Sequence, residues 1–433
     1  MQNNSIQIKT TLFSLIESMS DHVGDFVRNP GKDFTRKRSL NFQTTIRFIL
    51  SLGANTLSEE LIRFFSLENV PTTSAFVQQR DKILPETFLS LLKAFHHSIQ
   101  PEVKLFHGYR LLAIDGTGLS LPYNPKEQDY IRKNEHCNSM HLNTIYDLCS
   151  RFFLDASISP GNKTEEVSSA ISFVQNTSEQ YPAIFIADRG YENYNLFAHI
   201  EERLFDYIIR IKDISGKSIL SAIDYPDTPE FDITRNLVIT RHSTGPAAVN
   251  PKVYKYFTKA ARFDFIPDSA APDYDITIRF VRFQLPDGSF TALATSLSEE
   301  LFPVALLKEI YHMRWGIETA YREAKKVIGL EVFHSKKAAS ISQEVYARLI
   351  MYNFSMFICS SLSPQQNNRK HPVQINFTQA IKICLHFFKL PITVSPPNIE
   401  ALILRYLLPV RSGRSFPRKA VSKSVISFNY RLS

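Results

Sequence analysis

The sequence predicts a mixed α/β chain: an N-terminal helical segment, an α/β core interrupted by an all-β insertion, and a helical, basic C-terminal region. Three observations lead there. Before residue 104, segments such as TTIRFILSL and SEELIRFFSL space their apolar residues by three and four, the helical period. From about residue 105, short apolar runs such as YRLLAID and PAIFIAD alternate with helical stretches, the pattern of a sheet flanked by helices. Between about 214 and 296 that alternation stops, and strand-like runs rich in Thr, Val, Tyr and Phe follow one another.

In order, the N-terminal helices lead to Pro71-Thr72-Thr73, which breaks the pattern and offers Thr72 or Thr73 as a cap for the helix SAFVQQRDKIL. Helix, short turn and helix carrying Gln78, Gln79, Arg80 and Lys82 is compatible with a helix-turn-helix reader of DNA, and also with an ordinary helical bundle, helix pairs being common. NTIYDLC and RFFLDASIS read as a pair of strands joined at Ser150-Arg151. TEEVSSAISFVQ opens with acids, which suit a helix N-terminus. PAIFIADRGY is a strand ending in an acid, NLFAHIEERL a helix and FDYIIRIK a strand. Within the β-rich stretch, Asp287-Gly288 reads as a hairpin turn. Helix returns at VALLKEIYHMRWGIETAYREAKKVIGL and SQEVYARLIMYNFSMFI, and two further helical stretches follow the polar break SPQQNNRKHP. The boundaries are 1–104, 105–213, 214–296, 297–362 and 363–433, several segments being what a chain of 433 residues needs.

Hydrophobic residues at 44% and charged residues at 21% are close to ordinary globular usage, so the chain should fold and bury a sizeable core. Lys and Arg number 50 against 42 Asp and Glu, a formal net charge of +8 that suits a polyanionic partner. Lys32, Arg36, Lys37 and Arg38 cluster around Asp33, and no acid follows Glu400 in a tail carrying Arg405, Arg411, Arg414, Arg418, Lys419, Lys423 and Arg431. Such runs also occur as plain solvated surface. Cys137, Cys149, Cys359 and Cys384 suggest no disulfide framework, and His136, Cys137, His141 and Cys149 fit no common zinc spacing. The N-terminus lacks the layout of a signal peptide, and LIMYNFSMFICSSL is short for a membrane span, so a cytoplasmic protein without membrane contact is expected.

The chemistry concentrates at three acids. Asp115 and Asp188 each end an apolar run and precede a glycine-bearing turn, ID-GTG and AD-RGY. In an open α/β sheet, sites form at the carboxyl ends of strands. Two carboxylates there repel one another unless a cation lies between them, and oxygen ligands suit Mg²⁺ or Mn²⁺. Each Asp could instead cap a turn. On the later helix, Tyr311, Arg314, Glu318 and Lys325 fall at about 0°, 300°, 340° and 320°, within a stripe roughly 60° wide. Arg and Lys there could grip phosphates on either side of a metal-bound carboxylate. An Arg314–Glu318 ion pair at i, i+4 explains the charges of this stripe but not Tyr311. Trp315, the single Trp, reads as core packing.

The string Tyr311-x2-Arg314-x3-Glu318-x6-Lys325 resembles the Y-R-E-K motif of the insertion-sequence-four family of bacterial DDE transposases. LLAIDGTGLSLP resembles that family's first-Asp block, IADRGY its second, and the β-rich stretch its insertion between the second Asp and the Glu. The resemblance covers about residues 40–360. It implies an RNase H-like core, with Asp115, Asp188 and Glu318 as catalytic residues and ligands of two Mg²⁺ ions, Mn²⁺ being a substitute. Tyr311, Arg314 and Lys325 would contact DNA phosphates. It implies cut-and-paste transposition: cleavage at the ends of an insertion sequence, then attack of the freed 3′-OH on target DNA. The partners would be double-stranded DNA and a second copy of the chain, in the bacterial cytoplasm, with no small-molecule cofactor. The N-terminal helices, with the basic tail, would recognise the ends. Rival readings are a metal-dependent nuclease on the same fold and a decayed copy that only binds DNA.

Overall fold

A computed structural model describes residues 4–410 except 37, 66, 100–102, 132–136, 164, 215–217, 269–270, 367–370 and 392–397. Five helices come first: α1 (Asn4–Asp21), α2 (Phe42–Ser51), α3 (Leu57–Phe64), α4 (Thr73–Arg80) and α5 (Glu86–Ile99). Side-chain caps start three of them. Asn41 accepts from Thr44 N, Thr56 from Glu59 N, and Thr72 from Ala75 N at 3.1 Å, the cap expected from the Pro71 break.

The core follows as β1 (Arg110–Leu121), β2 (Asn138–Asp147), β3 (Phe152–Pro160), α6 (Glu166–Asn176), β4 (Ala183–Ala187), α7 (Tyr194–Glu202) and β5 (Asp206–Ile211). Next come β6 (Phe231–Thr240), the single turn α8 (Pro246–Val249), β7 (Tyr254–Tyr256), β8 (Tyr274–Gln284) and β9 (Phe290–Thr295). These strands form one sheet in the order β3-β2-β1-β4-β5-β9-β8-β6-β7. β1, β4 and β5 run parallel at its centre; all five residues of β4 are buried, as a strand covered on both faces requires. β9 pairs antiparallel with β5, so the β-rich stretch extends the core sheet from its β5 edge. Asp287-Gly288 turns β8 into β9, with Gly288 at φ 85°.

α9 (Val304–Met313), α10 (Trp315–Glu323), α11 (Ala338–Ser360), β10 (Val373–Ile375), α12 (Phe377–Lys389), α13 (Ile399–Leu404) and β11 (Leu407–Pro409) complete the described chain. α6 and α7 cover one face of the sheet through Ile171, Val174, Leu196 and Phe197. On the other face, Leu307 and Ile310 of α9 pack with Leu111, Ile184 and Ile186, while Ile317 and Ala320 of α10 pack with Ala113. α11 is buried along its length and shares one apolar core with α1, α2, α5 and α12, so the N-terminal helices close around it. No helix among the described residues is long and apolar enough to cross a membrane.

One open alternative is decided and three expectations need correction. Gln79 and Arg80 do not face outward to read DNA. Arg80 is buried against α11, donating to Gln343 Oε1 at 2.9 Å and pairing with Glu344 at 2.8 Å. The long helix after residue 304 is not continuous: it breaks at Arg314 and ends in a π turn, Ala324–Ile328, closed by Gly329 at φ 92°. Trp315 is 41% exposed and not core, because it begins α10 beyond that break. Asp115 does not end its strand, since β2 goes on pairing with β1 to Leu121. The tail from residue 411, Lys37 and His136 lie outside the described residues.

Candidate active site

β1 outruns β4. Their parallel register begins at Arg110↔Ala183 and ends at Ala113↔Ile186. Carried on two residues, the same register sets Asp115 opposite Asp188. Side chains alternate across a strand, so Asp115 shares a face with Leu111 and Ala113, and Asp188 with Ile184 and Ile186. All four apolar neighbours belong to the cores under α9 and α10. Both acids therefore stand on the face from which α10 presents Glu318 in its first turn.

The anchoring of α10 is specific. Tyr321 OH donates to the Asp115 carbonyl at 2.8 Å and lies 2.7 Å from Thr144 Oγ1, tying the helix to β1 and β2 beside the acid. Asp188 adopts the capping role open to it from sequence: its Oδ1 accepts from Gly190 N at 2.8 Å, starting the short turn Arg189–Tyr191. Asp115 Oδ1 accepts from Gly116 N at 3.0 Å.

Arg314 sits at the helix break. Its Nη2 donates to Glu318 Oε1 at 2.9 Å, and its guanidinium lies 5.8 Å from the Tyr311 ring and 5.5 Å from the Trp315 ring. The residue is 7% exposed, and its Nε, like the Tyr311 hydroxyl, is buried without a hydrogen-bond partner among the described residues. Burial opposes the Arg314 charge; Tyr311 and the carboxylates of Asp115, Glu318 and Asp188 favour it, and the net shift is upward. Lys325 turns away from this group. Its Nζ donates to Gly118 O at 3.1 Å and pairs with Glu331 at 3.3 Å.

Electrostatics tie the acids together. Burial first, then the charges of Asp188 and Glu318, push the Asp115 carboxyl up to about 7 against the opposing pull of Arg314 and the Gly116 amide. Tyr191, 1% exposed, has a hydroxyl without a hydrogen-bond partner among the described residues. Burial raises its pKa well above normal, and Asp115, Tyr321, Glu166 and Asp188 add to the effect. Tyr191 and Tyr321 escaped the sequence reading, although Tyr191 lies within AD-RGY and Tyr321 one turn from Glu318. Hard carboxylate oxygens, two of which push up the pKa of Asp115, fit a divalent cation in chemistry. As placed, no three His, Cys, Asp or Glu side chains among the described residues are close enough to hold one ion, and Glu318 is engaged by Arg314.

Three comparisons bear on this site. Residues 106–354, more than half of the chain, match the transposase DDE domain family. A curated relative, the transposase InsG for insertion sequence element IS4 from Escherichia coli (strain K12), is 26% identical over 141 residues, covering 30% of this chain and 32% of that protein. The chain thus spans about a third of that relative's length in the match. A solved structure of piggyBac transposase in a synaptic complex with hairpin DNA aligns over 95% of this chain and 86% of that one, at 9% identity and a TM-score of 0.47. The matched region runs from just before β1 into α11 and contains Asp115, Asp188 and Glu318, and on that match the chain belongs to the transposase DDE domain family.

Proposed function

We propose that the chain is a DNA transposase that cuts at insertion-sequence ends and joins them to target DNA, with Asp115, Asp188 and Glu318 as its catalytic acids. The observation that carries this reading is the β1–β4 register that aligns Asp115 with Asp188 on the face where α10 sets Glu318. In this reading β3-β2-β1-β4-β5 is an RNase H-like core, and residues 214–296 are an insertion that lengthens its sheet. Two Mg²⁺ ions, or Mn²⁺ in their place, would when bound neutralise the scissile phosphate, lower the pKa of the attacking water and stabilise the leaving 3′ oxygen.

The chain's own residues do the rest. Asp115 and Asp188 present oxygens from rigid strand and strand-end positions. Glu318 joins them when its carboxylate leaves Arg314. The released guanidinium, within cation–π reach of the Tyr311 and Trp315 rings, offers its donors to a phosphate oxygen. Tyr311 adds its unpaired hydroxyl, and Lys325 adds charge beside β1, three residues beyond Asp115. No protein nucleophile is required, because water and then the freed 3′-OH attack in turn. The partners are double-stranded DNA at the transposon ends and target, and a second copy of the chain on that DNA, in the bacterial cytoplasm. The same acids would serve a nuclease that only hydrolyses. The test is an assay in which a pre-cleaved end bearing a 3′-OH is offered with plasmid target and Mg²⁺. Joined product is expected; hydrolysis of ends without any joining would overturn the transposase reading.

A further inference from the structure

Asp115 and Asp188 are each followed closely by a glycine, and both glycines leave room for the same pair of side chains. An ideal Cβ on Gly116 would collide with His141 Nε2 and stand 2.8 Å from Asn143 Oδ1. An ideal Cβ on Gly190 would lie 3.1 Å from Asp188 Oδ1 and 3.2 Å from Glu166 Oε2. His141 Nε2 in turn lies 3.3 Å from Glu166 Oε1. The His141–Glu166 pair therefore fills the space beside one acid and reaches the other.

We propose that Glu166, beside His141, is a fourth carboxylate of the acid site and shares with Asp188 in holding a divalent cation. The proposal rests on the catalytic reading of Asp115, Asp188 and Glu318 given above. Asp188 Oδ1 and Glu166 Oε2 flank one point, so they stand within about 6 Å of each other, the range in which like charges act strongly. An acid in the first turn of a helix that pairs with a histidine has an ordinary explanation in the helix dipole. That explanation leaves two features over. Glu165, directly before it, is a non-glycine at φ 48°, a left-handed conformation that costs energy and turns the chain where Glu166 begins α6. The Tyr191 hydroxyl, on a residue 1% exposed, has no hydrogen-bond partner among the described residues and lies in the field of Asp115, Glu166 and Asp188. A buried hydroxyl without a partner among the described residues, in the field of three carboxylates, leaves a donor free for a group that enters the acid site. His141 Nε2 contacts one Glu166 oxygen at 3.3 Å without hydrogen-bonding to it, and the other Glu166 oxygen is the one near Asp188.

The experiment titrates the full-length chain, free of DNA, with Mn²⁺ and reads unbound Mn²⁺ by electron paramagnetic resonance. Wild type is compared with Glu166→Gln, Asp188→Asn and the neighbouring control Glu165→Gln. Glu166→Gln is expected to weaken Mn²⁺ binding about 10-fold or more, Asp188→Asn at least as much, and Glu165→Gln not at all. Thermal unfolding in chelator checks that Glu166→Gln folds as wild type does. Unchanged Mn²⁺ affinity in Glu166→Gln overturns the proposal. If Asp188→Asn weakens binding in the same series, only Glu166 is removed; if neither does, the cation reading of the whole site falls with it.

Discussion

Arg314 donates to Glu318 at 2.9 Å while lying within cation–π reach of the Tyr311 and Trp315 rings, so one guanidinium both restrains an acid of the site and keeps aromatic support for a second partner. The two roles have opposite consequences. Arg314→Ala should strengthen Mn²⁺ binding to the DNA-free chain, because Glu318 loses its competitor. The same substitution should weaken DNA binding and lower the salt slope by about one phosphate contact. Parallel metal and DNA titrations check both signs. A variant that weakens metal binding, or keeps the wild-type salt slope, contradicts the assignment.

Asp115 carries a pH signature. Its carboxyl is pushed up to about 7, chiefly by burial, with Asp188 and Glu318 adding to the shift and Arg314 opposing it. A raised acid contributes stability that is complete below its unfolded pKa, near 4, and lost as pH rises through the folded value. In chelator, this group should make the melting temperature fall between about pH 4 and pH 7–8. Asp115→Asn should flatten that fall and melt higher than wild type at pH 8. Identical pH profiles for the two proteins would contradict it.

Gly116 tests how tightly β1 and β2 meet behind the acid. Asn143 is fully buried, so a methyl group at 116 cannot be absorbed by solvent. Gly116→Ala should destabilise the fold by about 1–3 kcal/mol, the usual penalty of overpacking, and displace His141. Chemical denaturation measures the first effect, and the histidine resonances of the variant report the second.

The buried pair Arg80–Glu344 is predicted to be the chief electrostatic tie between α4 and α11. Both side chains are 1% exposed and 2.8 Å apart, and His334 Nδ1 lies 3.1 Å from the same carboxylate. Burial alone would raise the Glu344 pKa; Arg80, His334 and Arg348 outweigh it and hold it at about 2. A depressed acid stabilises above its unfolded pKa, near 4.3, and that contribution is lost as pH falls through the folded value. Glu344→Ala should cost about 3–5 kcal/mol by leaving Arg80 buried and unpaired. Its stability should also change less than that of wild type between about pH 4.5 and 2. Denaturant melts across that interval check both.

Much of this was legible in the sequence where the cause is local. Thr72 follows a proline and caps its helix, Asp287-Gly288 makes its hairpin, and the acid-terminated runs became β1 and β4. What escaped was decided at a distance. Arg80 could be read as DNA-facing or as part of a helical bundle, because its partner Gln343 is 263 residues away. Asp115 looked like a strand end because the apolar run YRLLAID stops there, while pairing with β2 carries β1 on to Leu121. The helical stripe placed Tyr311, Arg314 and Glu318 together correctly. It misplaced Trp315 and idealised Lys325, since ideal periodicity cannot show a break at Arg314 or a π turn after Glu323. Glu166 was read only as an acid at a helix start, and its approach to Asp188 depends on the absent side chain of Gly190.

The central claim is that Asp115, Asp188 and Glu318 act as one catalytic unit. Its most direct test is Mg²⁺-dependent cleavage of a DNA end carrying the element's terminal repeat, by wild type and by Asp115→Asn, Asp188→Asn and Glu318→Gln, with end binding measured in parallel. Each substitution should lower cleavage by about 100- to 1,000-fold or more while binding stays close to wild type. Near-normal cleavage by any one of the three would contradict the account.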